Sequence, residues 1–130
     1  MRVAESTTAL PAVHNGGMPP TLPVAEALSL PGLISPPEDG IASRVLAKTA
    51  GGHLTLFAFA AGQGLTEHTS PFEAFVMVLE GTIALRVGDK HVTATPSTIV
   101  RLPANVAHAL EASEKSRMLL IMLRDVTPAL

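Results

Sequence analysis

Residues 61–81 read AGQGLTEHTSPFEAFVMVLEG, a glycine-rich polar segment that passes into the apolar run Phe75 to Leu79 and stops at Glu80-Gly81. An apolar run this short, bounded by turn formers, reads as a buried strand rather than a helix. Gly62-Gln63-Gly64 is followed neither by a helix nor by a Lys-Ser or Lys-Thr pair, so it is a loop entering a strand and not a phosphate-binding loop. The same pattern extends in both directions. Upstream, Ile41 to Lys48 leads through Ala50-Gly51-Gly52 into His53 to Ala60, a hairpin closed at the glycine pair. Downstream, Thr82 to Val87, His91 to Thr95, Thr98 to Leu102, Val106 to Glu111 and Arg117 to Arg124 are parted by Gly88-Asp89-Lys90, Pro96-Ser97, Pro103-Ala104-Asn105 and Ser113 to Ser116. Turn signals every ~8–12 residues without a helical period predict an all-β protein, a single antiparallel β-barrel.

The chain of 130 residues suits one domain. Residues 1–22 lack any period and are expected to form a flexible arm, and residues 23–40 a Pro-rich lead-in with a short helix over Val24 to Leu28. The barrel is expected over 41–124, with a tail at 125–130. Apolar residues make up 47% and charged residues 15%, which argues against disorder and for surface hidden against a second copy, a homodimer.

With a formal charge of −2 and scattered Lys and Arg there is no basic face for nucleic acid or anionic lipid, and the absence of Trp and Tyr removes stacking platforms for single strands. The run Met118 to Leu123 is far below the ~20 residues of a membrane span, and no basic, apolar export signal opens the chain, so a cytoplasmic protein is expected. Without cysteine there is no thiolate, and any metal must rest on His, Glu, Asp or Gln.

The stretch 61–81 resembles the first conserved motif of the cupin superfamily, whose barrel is of jelly-roll type. Gly62, His68 and Gly81 fall on that motif, while Ser70 stands at its second His and Ala74 at its Glu. In the second motif Pro103 and His108 match, within LPANVAHAL at 102–110, whereas Ser97, Asn105 and Ala112 replace two glycines and an Asn. The resemblance covers residues from about 40 to 124. It implies a metal site inside the barrel, of which His68 and His108 are the retained ligands, facing each other across the barrel interior.

Two imidazoles are fewer ligands than a divalent ion normally takes, so either a replacement exists or no metal is held. Strand parity places Glu67 and Glu73 away from His68 unless a bulge intervenes, and Gln63, on a loop, is the preferred third ligand. The candidate pocket is lined by His68, Ser70, His108 and Met77; the candidate metal ligands are His68, His108 and Gln63. Two readings stay open: a pocket for a small, largely apolar molecule with no metal, or an enzyme of isomerase, lyase or dioxygenase type using one divalent transition metal on a small carbonyl or enolisable substrate. A barrel filled by its own side chains is the third.

Overall fold

The computed structural model describes residues 22–126, so the expected arm lies almost wholly outside them. Nine strands follow one another: β1 (Ile41–Thr49), β2 (Gly52–Phe59), β3 (Gly64–His68), β4 (Glu73–Glu80), β5 (Ile83–Val87), β6 (Lys90–Ala94), β7 (Ile99–Leu102), β8 (His108–Ala112) and β9 (Ser116–Leu123). They form two antiparallel sheets, β1-β2-β9-β4-β7 and β3-β8-β5-β6, the arrangement of a jelly roll. The all-β expectation holds. The short helix over Val24 to Leu28 is absent: Val24 and Ala25 form a turn with Ala25 at φ 59°, and the one helical turn of the lead-in is a 3-10 turn at Pro31–Leu33.

Strand alternation sends successive side chains to opposite faces and so divides the apolar residues into two clusters. Phe57 and Phe59 of β2, Val76 and Val78 of β4, Met118 and Leu120 of β9 fill the space between the sheets with Leu65, Ile83, Leu85 and Leu110 from the smaller sheet. The alternate positions, among them Leu56, Ala58 and Leu119, form a second cluster on the outer face of the larger sheet. Leu30, Leu33 and Ile34 of the lead-in roof this second cluster, and the Arg44 guanidinium donates to the Leu33 carbonyl at 3.3 Å.

One end of the sandwich gathers the ends of both sheets. The β1–β2 turn, the crossing from β3 to β4 and the segment 103–107 before β8 all lie there, because Glu73 and Gly52 both pair with Leu123 and Ala74 pairs with Leu102. Asn105 N donates to Ser70 O at 2.7 Å and ties two of these loops together.

Candidate functional site

His68 and His108 are cross-strand neighbours in the β3–β8 ladder of the smaller sheet, side by side on one wall rather than facing each other across the barrel interior as expected, because β3 and β8 are hydrogen-bonded to one another. The pairing depends on an irregularity: Leu65 faces Leu110 and His68 faces His108, so three steps along β3 match two along β8. One extra residue in a strand shifts its parity, which returns His68 to the inward face that Leu65 occupies and turns Glu67 outward. The Glu67 carboxylate accordingly accepts from Arg86 at 2.6 Å on the outer face of the smaller sheet. The imidazole rings meet edge to face with centroids 4.5 Å apart. His108 is buried, 7% exposed, and His68 is half-buried.

Each imidazole turns Nδ1 to a carbonyl two residues earlier on its own chain, His68 to Thr66 O at 2.9 Å and His108 to Val106 O at 3.2 Å. A carbonyl only accepts, so Nδ1 carries the proton in both rings and Nε2 is the acceptor nitrogen of the neutral form. Burial first, then the adjacent His68, lowers the pKa of His108, against the opposing pull of the Val106 carbonyl. The outcome is a pair of adjacent imidazoles whose Nε2 atoms have no hydrogen-bond partner among the described residues.

The remaining candidates are elsewhere or already engaged. Ala74 places a methyl group in the core, between Leu102 and Met122 of the flanking strands. The Ser70 hydroxyl accepts from Phe72 N at 3.1 Å in a local turn and hydrogen-bonds to no imidazole among the described residues, so it is not poised as a nucleophile. Gln63 sits at the far end of β3, its amide donating to Asp39 at 3.3 Å. Glu73 accepts from Arg101 at 2.6 Å and from Ala104 N at 2.9 Å, and these bonds hold its carboxyl below the usual range. Met77 packs with the outer cluster, since it alternates with the inward Val76 and Val78; parity removes it from the pocket lining.

This donor set does not fit a resident divalent metal. Two imidazoles lie side by side, a methyl group stands where the family's motif has a carboxylate, and no group of three His, Asp or Glu side chains is placed to hold an ion among the described residues.

The structure also explains the two missing glycines of the second motif. Ser97 and Asn105 adopt φ of 70° and 64°, the left-handed conformation for which glycine is ordinarily used. Asn tolerates that region well, and the backbone path of the motif survives the substitutions. His53, which the sequence places beside a turn, faces inward on β2, its Nδ1 3.0 Å from the Thr55 hydroxyl and its ring edge-on to Phe72 at 6.1 Å between centroids. Its parity with Phe57 and Phe59 was the available signal.

The model of the family described as "Cupin domain" matches residues 55–124, more than half of the chain. Among solved structures, the chain is similar to a conserved protein of unknown function from Streptococcus pyogenes, with 26% identity, a TM-score of 0.78, and coverage of 82% of this chain and 94% of that one. A cupin superfamily protein from Desulfitobacterium hafniense matches at 28% identity and a TM-score of 0.76, over 81% of this chain and 96% of that one. A cupin 2 conserved barrel domain protein from Leptotrichia buccalis matches at 31% identity and a TM-score of 0.72, over 75% of this chain and 47% of that one. No curated protein matches the chain. With the two motif histidines on paired strands of one sheet and these likenesses agreeing, the chain belongs to the cupin family.

Proposed function

We propose that this cupin is a small-molecule-binding module whose ligand docks at the open end of the sandwich against His68 and His108. The carrying observation is the imidazole pair itself: two rings in edge-to-face contact, each with Nδ1 turned to a backbone carbonyl and Nε2 without a hydrogen-bond partner among the described residues. Deep between the sheets Phe59, Ile83, Leu102 and Met118 are fully buried, whereas Val87, opposite His108, and Met122, opposite Ala74, are only half-buried. The side-chain filling therefore thins toward the histidines, which favours a ligand over a fully self-filled barrel. Neutral imidazoles with free Nε2 accept hydrogen bonds, so the fitting ligand is compact, mostly apolar and carries hydroxyl or N–H donors.

Long-range 1H–15N correlation of the imidazoles during a screen of small alcohols and amides tests this. A binder should move the Nε2 signals of both His68 and His108, and His108→Ala should abolish its binding. Metal analysis of protein purified without chelators is the second arm: a stoichiometric transition metal lost in both His→Ala variants would overturn the reading in favour of a metal-dependent enzyme.

The protein works as a homodimer in this reading. Ile99, 56% exposed, and Leu123, 49% exposed, leave the larger sheet with apolar surface beyond what the lead-in covers.

A further inference from the structure

The larger sheet brings an imidazole of its own to the end of the sandwich that holds His68 and His108. His53 pairs with Met122 and Met122 with Ala74, and both of those partners belong to the inner cluster. His53 therefore lies on the inward face of the larger sheet, one row in from the pairs that Leu123 makes with Gly52 and Glu73. His68 ends β3 and His108 begins β8 on the smaller sheet. The crossing from β3 to β4 joins the two walls and carries Phe72, whose N–H donates to the Ser70 hydroxyl at 3.1 Å and whose ring meets His53 with centroids 6.1 Å apart.

The rings of the two walls do not offer the same group. His68 and His108 carry the proton on Nδ1 and leave Nε2 as an acceptor. At His53, Nδ1 lies 3.0 Å from the hydroxyl of Thr55, which is 6% exposed and has no other hydrogen-bond partner among the described residues. Were Nδ1 the donor, the hydroxyl proton would be buried without an acceptor, which is costly. The Thr55 hydroxyl therefore donates, and the proton of the neutral His53 ring sits on Nε2. Burial first, then Lys48, disfavours a second proton on this ring, so the neutral form is the relevant one. One wall thus presents acceptors and the other a donor.

We infer, resting on the reading of the imidazole pair as a ligand site, that its ligand is a small open-chain secondary amide. Nε2 of His68 or His108 accepts from the amide N–H, and the amide carbonyl accepts from Nε2–H of His53. In a trans amide the N–H and C=O point to opposite sides of one planar bond, so a single neutral group answers both walls. An ester or ketone lacks the donor, and a carboxylate lacks it too. The apolar flanks at Met122 and Val87 suit short alkyl chains on either side of the amide.

Titrating the full chain with N-propylacetamide at about pH 8, where imidazoles are neutral, followed by long-range 1H–15N spectra of the rings, is the test. Before ligand is added, His53 should show the Nε2–H pattern and His68 and His108 the Nδ1–H pattern. Saturation should then move the signals of both walls. Propyl acetate, which keeps the carbonyl and lacks the N–H, should bind about fivefold more weakly, the order expected for one lost hydrogen bond. The amide should lose a similar factor in His53→Phe and in the near-isosteric Thr55→Val, whose fold is certified by unchanged Nδ1–H patterns at His68 and His108. An Nδ1–H pattern at His53, equal binding of the ester, or no movement of any ring by the amide overturns the inference. Shifts confined to His68 and His108, with undiminished affinity in His53→Phe, also overturn it while leaving the imidazole pair a ligand site.

Discussion

Burial and the neighbouring His68 ring both disfavour a proton on His108, so its pKa lies below the ordinary 6.5, and burial with Lys48 does the same at His53. The unfolded chain then binds more protons than the folded one in the interval below pH 6.5, and stability rises with pH there. The contribution is complete above the unfolded value and is lost as pH falls through the folded pKa values. Thermal unfolding should show Tm falling on acidification from pH 7 through pH 6, with a shallower fall in His108→Gln; a flat profile in the parent would contradict it. At the same scale, the missing ligands define a gain-of-function experiment. Ser70→His with Ala74→Glu places the family's residue types at both vacant motif positions, and the purified double variant should retain about one equivalent of transition metal where the parent retains far less. Because Ala74 is 2% exposed, the new carboxylate should lower stability when metal is stripped, which differential scanning with and without chelator measures.

β3 shows how an element, rather than a residue, positions the site. Its extra residue is what brings His68 into phase with Leu65, and its close approach to β8 begins at Gly64, where a Cβ would lie 2.2 Å from the Leu110 carbonyl oxygen. Gly64→Ala should therefore push β3 from β8 and destabilise the fold by roughly 2–3 kcal/mol, read from denaturant midpoints, with loss of the imidazole contact in nuclear Overhauser spectra. Ser97 holds a left-handed conformation without the small polar advantage of Asn105. Ser97→Gly should be neutral to stabilising, by up to about 1 kcal/mol, because relief of the Cβ strain is offset by the entropy of glycine.

For the whole molecule, the two-cluster division carries the expectation of self-association. Apolar residues on both faces of the larger sheet leave the outer cluster covered in part by the lead-in, with Ile99 and Leu123 exposed beyond it, the surface that the proposed second copy would cover. Light scattering at micromolar concentration should give twice the chain mass, and Ile99→Lys should reduce it to one; a monomeric parent would refute the dimer.

Much of this was legible in residue order. Glycine and proline punctuation gave the strands downstream of Gly81 to within one to two residues, since turn chemistry is local, and His68 with Pro103 and His108 carried the family. Residue type alone placed Met77 in the pocket lining, because a strand pattern that is apolar at every position does not say which face is inside. The irregularity in β3, the placing of His68 and His108 on neighbouring strands of one sheet, and the hydrogen bond of Gln63 to Asp39, 24 residues away in sequence, came only with the tertiary structure. A bulge is one residue's difference between two paired strands, and pairing is a property of the fold. The sequence by itself determined an all-β cupin with two of four motif ligands retained; the packed sheets decided that those two imidazoles meet edge to face as neighbours in one sheet while the other candidate groups are committed elsewhere.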